Sequence, residues 1–184
     1  MHYKITPIEA TVNNMKRLNT IYLQLYHSPC GDLMLGSFED KLCLCDWVTR
    51  RHKEAIYQRL QRNLQADYEE EASEITLKAS RQLDEYFRKE RINFDLPLLF
   101  TGTVFQKKVW NKLLEIPYGK TVSYRELACQ LDIPNAVRAV ANANGANAIS
   151  IFVPCHRVIG SNHTLTGYAG GLEAKKMLLT LEND

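Results

Sequence analysis

TVSYRELACQLDIPNAVRAVANANG, residues 121–145, is punctuated as two short helices joined by a tight turn. Ser123 and Glu126 form the S-x-x-E pattern of a capping box, in which the serine accepts from the third backbone N–H and the glutamate reaches back to the cap. The helix so started, YRELACQL, stops before Pro134, because proline restricts the residue ahead of it and has no N–H for a helix interior. Asn135 is the expected cap of a second helix, AVRAVANAN, which ends at Gly145. This pattern reads as a helix-turn-helix, and any αα-hairpin shares it. The second helix is thin: Ala136, Ala139, Ala141 and Ala143 carry small side chains, and Arg138 is its only charge. A thin helix can approach another surface closely or pack tightly inside; an arginine with no acidic neighbour within a turn makes burial harder.

Outward from this stretch, the residues after Thr103 turn helical, with Val109, Trp110, Leu113 and Leu114 on one face and Pro117-Tyr118-Gly119 as the break. Further upstream TIYLQLY (20–26), LMLGSF (33–38) and KLCLCDW (41–47) alternate like strands. Ser28-Pro29-Cys30-Gly31-Asp32 and Glu39-Asp40 separate them, which gives a three-stranded antiparallel meander. RHKEAIYQRLQRNL (51–64) and TLKASRQLDEYFRKE (76–90) suit helices, with an acidic connection over 67–74 between them. INFDLPL (92–98) returns to an extended pattern, and ISIFV (149–153) reads as a short apolar strand. Residues 1–19 carry little periodicity and read as a loosely attached arm. The expected organisation is an α/β N-terminal domain over 1–100 and a mainly helical C-terminal domain over 101–184.

Length and composition allow one globular domain, or one main domain with a small partner. The 184 residues are 45% apolar and 24% charged, enough for a core and unlike disordered, collagen-like or coiled-coil chains. No apolar run approaches the roughly 18 residues that span a bilayer, and the first residues lack the apolar centre of a signal peptide. A cytoplasmic protein without membrane attachment is expected. Residues 1–100 hold 14 Lys+Arg against 15 Asp+Glu, whereas residues 101–170 hold 7 against 3. A basic second half suits an anionic partner such as nucleic acid, as it suits many solvated surfaces. The five cysteines are odd in number and irregularly spaced, which argues against a disulfide framework. Cys43 and Cys45 share one strand face and read as small buried residues. Zinc with His27 or His52 is the minor alternative, at a spacing that fits no standard site.

Chemistry concentrates in Pro154-Cys155-His156-Arg157-Val158-Ile159-Gly160. A cysteine beside a histidine and an arginine is a candidate nucleophile: the imidazole can take the thiol proton and positive charge favours the thiolate. Neighbouring side chains on a strand point to opposite faces, so Cys155 and His156 can cooperate only where the chain turns, or through a bridging water. On these residues alone a chance pairing is the more frequent case.

VPCHRVIGSNHTLTGYAGGLEAKKMLLTLE (153–182), preceded by RAVANANGAN (138–147) and TVSYRELA (121–128), resembles the O6-alkylguanine-DNA alkyltransferases, the methylated-DNA–protein-cysteine methyltransferases. The dense match covers residues 103–182; upstream it is looser, through Ser28-Pro29-x-Gly31 and the strands after it. The resemblance implies a ribonuclease H-like N-terminal domain. It implies DNA repair by direct, stoichiometric and irreversible transfer of an alkyl group from O6-alkylguanine, and from O4-alkylthymine, to Cys155, with no cofactor. His156 then resembles the base acting through a water, Glu182 the carboxylate that orients it, and Asn147 the residue tying the active-site turn together. Tyr124 resembles the tyrosine that hydrogen-bonds the guanine ring. Backbone groups of Cys155, Val158 and Ala169 would line the base pocket, and Tyr168 with Gly167, Gly170 and Gly171 would shape the loop over it.

The target base lies inside a duplex and must be flipped out. By the same resemblance Arg138 is the finger that fills the vacated stack, on a helix that enters the minor groove rather than the major groove. Ser123, Tyr124, Ala136 and Ala139 join it as DNA-contacting residues. The implied partner is double-stranded DNA carrying O6-alkylguanine, bound by a monomer. The sequence departs from the family pattern at Ala141, where glycine is common, and at Ala148, where proline is common; neither is a reacting group. No set of zinc ligands matches, so no metal is expected. Two other classes fit parts of the sequence. A non-catalytic DNA-binding regulator would need a ligand or dimer module, and a cysteine hydrolase would need an oxyanion hole; neither is visible.

Overall fold

The computed structural model describes residues 19–183; the arm expected over 1–19 lies, but for Asn19, outside them. Strands β1 (Thr20–Ser28), β2 (Gly31–Phe38) and β3 (Lys41–Trp47) form the expected antiparallel meander. Its register runs from Ile21↔Phe38 to Ser28↔Gly31, so Pro29 and Cys30 alone make the first turn. Gly36 sits where β2 and β3 touch: a Cβ there would lie 2.8 Å from Leu44 Cβ.

The sheet has a fourth strand that the sequence reading missed. β4 (Asp67–Glu69), inside the supposed acidic connection, pairs parallel with β1, and the order is β3-β2-β1-β4. Three residues, DYE, carry no period that could be read. They are held by backbone pairing and by Tyr68, whose hydroxyl donates to Tyr57 O at 2.9 Å.

Helix α1 (Lys53–Leu64) precedes β4, and α2 (Glu74–Phe87) follows it. Ser73 and Thr76 make a reciprocal cap at the start of α2. Ala79, Leu83 and Tyr86, spaced four and three apart, are buried on the side of α2 that packs across β1, β2 and β3. The extended stretch 92–98 is not a strand. It contributes one bridge, Leu42↔Leu98, made by Leu42 N to Pro97 O and Leu99 N to Leu42 O, both 2.9 Å. Pro97 has no N–H with which to continue a ladder.

The C-terminal domain is mainly helical. Thr103 and Gln106 cap α3 (Val104–Leu114), which buries Val109, Trp110 and Leu113 and leaves Leu114 exposed. α4 (Tyr124–Gln130) and α5 (Val137–Gly145) are the helix-turn-helix pair. Ser123 and Glu126 close the predicted capping box, with Glu126 N to Ser123 Oγ at 3.1 Å and Ser123 N to Glu126 Oε2 at 2.6 Å. Asn135 does not cap α5. Ala136 stands at that position without a side-chain bond, because the turn closes one residue later through Ala136 N to Ile133 O at 2.9 Å.

ISIFV is also not a strand. Ile149 bridges to Cys45, Ser150 bridges to Val153, and Ile151 reverses the chain at a φ of 71°. Next come a 3₁₀ turn over Cys155–Arg157 and β6 (Val158–Ile159), parallel to β5 (Val122–Ser123). The chain closes with α6 (Gly171–Asn183). Among the described residues no helix is long and apolar enough to cross a membrane.

Leu83 is fully buried between α2 and the sheet. Leu83→Ala is expected to lower the stability to urea unfolding by about 2–5 kcal/mol, and a cost below about 1 kcal/mol would show that this layer is loosely packed.

Candidate active site

Cys155 opens the 3₁₀ turn and is 4% exposed. Its sulfur accepts from Asn147 Nδ2 at 3.2 Å. The same amide nitrogen donates to Val153 O at 3.0 Å, while Asn147 Oδ1 accepts from Ile149 N at 2.9 Å. One buried side chain thus closes the loop that replaces the expected strand and ends at the thiol. Burial raises the Cys155 thiol above its ordinary range; the Asn147 bond and the positive charges of Arg50 and Lys175 oppose this, and Asp46 adds to it.

Because the chain turns here, His156 points into a separate buried network. Its Nε2 lies 2.8 Å from Glu182 Oε1, and its Nδ1 has no protein partner. Burial lowers the imidazole below its usual value, so it is neutral, with Glu182 resisting the shift. Glu182 is the hub. Oε1 also accepts from Tyr86 Oη at 2.8 Å and Arg157 Nη2 at 2.9 Å, and Oε2 accepts from Arg157 Nε at 2.8 Å and Gly119 N at 3.1 Å. Burial alone would raise this carboxyl; the bonds from His156 and Arg157 override it and hold it down at about 2.

A cleft of about 720 Å³ is lined by Tyr124, Ala141, Asn142, Gly145, the loop from Thr166 to Gly171, and Thr49 to Arg51. Tyr124 is half-buried and its hydroxyl accepts from Asn144 Nδ2 at 3.4 Å. Tyr168 packs edge-on against Trp47, with ring centroids 5.8 Å apart. A Cβ at Gly170 would come within 2.4 Å of the same indole, so only glycine lets the loop lie this close.

The predicted site residues divide into groups. Cys155, His156, Asn147 and Glu182 are joined by one turn and its neighbours, and Tyr124, Tyr168 and Ala169 line the cleft. Arg138 and Ala139 are exposed on α5 and Ala136 is partly so. Ser123 is 9% exposed and committed to capping α4. Val158 is buried, and its carbonyl accepts from Lys175 Nζ at 2.6 Å rather than facing the cleft. Tyr86, Gly119 and Lys175 were not foreseen, since they lie far along the chain and carry no local motif. Arg157 was legible only as a charge beside Cys155.

Comparison with known proteins decides the family. Residues 21–100 match the family model for the 6-O-methylguanine DNA methyltransferase ribonuclease-like domain, and residues 104–184 match that for the DNA-binding domain. A methylated-DNA–protein-cysteine methyltransferase of Methanosarcina acetivorans is 44% identical over 162 residues, covering 88% of this chain and 98% of that protein. The chain belongs to this methyltransferase family. The constitutive family member of Bacillus subtilis is 42% identical over 167 residues, covering 88% of this chain and 94% of that protein. A crystal structure of the Mycobacterium tuberculosis O6-methylguanine methyltransferase aligns with a TM-score of 0.75 at 39% identity, over 89% of this chain and 93% of that one. The Mycobacterium tuberculosis protein has also been solved in complex with DNA, and that structure aligns with a TM-score of 0.74, over 89% of this chain and 92% of that one. The expected family and its two-part α/β and helical fold are thereby borne out. All five cysteines are free, and among the described residues no group of three or more His, Cys, Asp and Glu could hold a metal ion.

The Glu182 network fixes the acid response of the methyltransferase. A carboxyl lowered in the fold stabilises it above the unfolded value near 4.5, and that stability is lost as pH falls towards about 2. His156, lowered by burial, adds a loss below the ordinary histidine value of 6.5. Urea unfolding is therefore expected to show falling stability from pH 6.5 downwards, with about 3 kcal/mol from Glu182 below pH 4.5. Glu182→Gln should flatten the lower part of that slope; an unchanged slope would mean that other carboxyls set it.

Proposed function

We propose that this methyltransferase repairs DNA by moving the alkyl group of O6-alkylguanine, and of O4-alkylthymine, onto Sγ of Cys155, once per molecule and irreversibly. The observation that carries the reading is the thiol held by Asn147 next to a neutral imidazole whose other nitrogen is pinned by a buried carboxylate. In the step, a C–S bond forms as the alkyl C–O bond breaks. The thiol proton passes through a water to His156 Nδ1, the nitrogen with no protein partner, and on to the leaving guanine. Glu182 stabilises the imidazolium that forms, and Arg157 holds Glu182. Tyr124, half-buried at the cleft wall, is the donor to the departing base. No turnover follows, because a thioether has no leaving group that water displaces at neutral pH.

In this reading residues 1–100 form the supporting domain and residues 101–184 the DNA-binding and acceptor domain. The small, exposed face of α5 enters the minor groove, with Ala136 and Ala139 allowing close approach and Arg138 filling the place of the flipped nucleotide. Ser123 sets the start of α4 there, and Ala169 and Tyr168 close over the base. One acceptor thiol per chain makes a cytoplasmic monomer sufficient. A cysteine at the acceptor position, held in this way, favours repair over a DNA-binding regulator.

Incubation with duplex DNA containing O6-methylguanine is expected to add about 14 Da, one methylene, to a single peptide containing Cys155. Cys155→Ser should fold and bind the DNA without gaining mass. Continued turnover, or an adduct on another cysteine, would overturn the assignment.

Extrusion of the base costs a few kcal/mol of stacking and pairing, part of which an inserted side chain recovers. Arg138→Ala should thus slow single-turnover repair of duplex DNA far more than reaction with free O6-benzylguanine. Arg138→Lys should be intermediate, since an ammonium stacks less well than a planar guanidinium. Equal losses on both substrates, or a duplex loss restored by lower salt, would replace the finger with an active-site or phosphate role.

A further inference from the structure

The C-terminal end of α5 is satisfied in an unusual way. A helix end leaves its last carbonyls without partners, commonly resolved by glycine in a left-handed cap. Here Ala146 follows the helix at a φ of −86°; backbone N–H groups of Ala146 and Asn147 take the carbonyls of residues 142 to 144, and side chains from elsewhere take those beyond and share Ala143 O. Trp110 Nε1 donates to Ala143 O at 2.8 Å. Arg50 places Nη2 on Gly145 O and Nη1 on Asn147 O, the latter at 2.9 Å. Arg59, on α1, donates Nη2 to Ala146 O at 2.9 Å and lies over the Trp110 ring at 5.3 Å. Three consecutive carbonyls, 145 to 147, are thus held by two arginines of the N-terminal domain.

The arginines are themselves placed. Asp46, whose side chain is 1% exposed, binds Arg50 Nη1 at 2.9 Å from the end of β3. The residue before it, Cys45, takes the next part of the segment by backbone: Cys45 N to Ala148 O at 2.8 Å and Ser150 N to Cys45 O at 2.7 Å. Positive charge also suits the negative end of the α5 dipole. The segment so fixed carries Asn147, the side chain that reaches the Cys155 sulfur.

We propose that Arg50 and Arg59 are positioning residues for alkyl transfer: they lock the backbone from Gly145 to Asn147, and so hold the Asn147 amide against Cys155. The N-terminal domain is then a working part of the acceptor site. This rests on the reading of Cys155 as acceptor. Arg50 additionally brings a positive charge to the thiol, alongside Lys175 and against Asp46; Cys45, Tyr124 and Tyr168 are the other titratable groups that interact with it, and His156 adjoins it in the turn.

The test uses the full chain and a free base, so that DNA contacts do not enter. Single-turnover rates with O6-benzylguanine are measured for Arg50→Ala, Arg50→Lys and Arg59→Lys. In parallel, iodoacetamide alkylation of Cys155 is followed against pH by peptide mass. Displacing a reacting group by about 1 Å costs up to about a hundredfold, so Arg50→Ala should slow the benzyl transfer by about tenfold or more. Arg50→Lys, which keeps the charge but cannot span two carbonyls, should fall between it and the parent. The alkylation midpoint should rise in Arg50→Ala and stay in place in Arg50→Lys, a separation that a merely structural loss would not produce.

A folded Arg50→Ala with the parent's rate and profile overturns the proposal, as does a loss seen on duplex DNA but absent with the free base. If Arg50→Ala does not fold, parental rates in both lysine variants overturn it equally. A parent chain that takes the benzyl group on another cysteine defeats the acceptor reading itself. Full-rate adducts on Cys155 in every variant defeat only the arginine clamp.

Discussion

A single carboxylate organises the site. Glu182 receives five hydrogen bonds from four residues, with its side chain fully removed from solvent. Such a charge is tolerable inside a protein only when its oxygens are fully partnered. The partners come from three parts of the chain: Tyr86 on α2, Gly119 before β5, and His156 with Arg157 on the 3₁₀ turn. Removing the carboxylate would therefore loosen three segments at once and leave Arg157 buried without its counter-charge. Within the network the Arg157 guanidinium stands against the Glu182 carboxylate, and the same carboxylate holds His156 Nε2.

The thiol sits at the meeting of two such arrangements. On one side, the Glu182 cluster fixes the imidazole; on the other, Asn147 and the arginine-held end of α5 fix the sulfur. The short 3₁₀ turn between Pro154 and Val158 gives the two adjacent residues separate partners, Asn147 for Cys155 and Glu182 for His156. Lys175 supports the turn from behind, bound to Val158 O at 2.6 Å and Thr166 O at 2.8 Å, and burial lowers its ammonium to about 8.

What could be read from the sequence follows the range of each interaction. The Ser123–Glu126 cap, the helix pair and the three-stranded meander are decided within a few residues, and all were legible. Asn135 failed because cap preference is weak against the geometry of a tight turn, which closed at Ala136 instead. β4 failed because three residues carry no period, and ISIFV failed because Asn147 bends an apolar run that would otherwise extend. The roles of Cys155, His156 and Glu182 were visible only through resemblance to a family, since the residues alone left Cys155 and His156 as a chance pair and said nothing of Glu182. Tyr86, Arg50 and Arg59 act across 96, 97 and 87 positions of chain, and no local pattern announces such partners.

The pairing of Cys45 with Ala148 and Ser150 has a second effect, on solubility. β3 is an outer strand of the sheet, and its outward N–H and C=O groups would otherwise be a template for another chain. The segment that carries Asn147 covers that template, while the opposite side is protected by the brevity of β4. Substitutions that pry residues 147–150 away from β3 would uncover a sticky edge in the same motion that displaces the thiol. Such changes would first show themselves as aggregated protein, before any loss of chemistry could be measured.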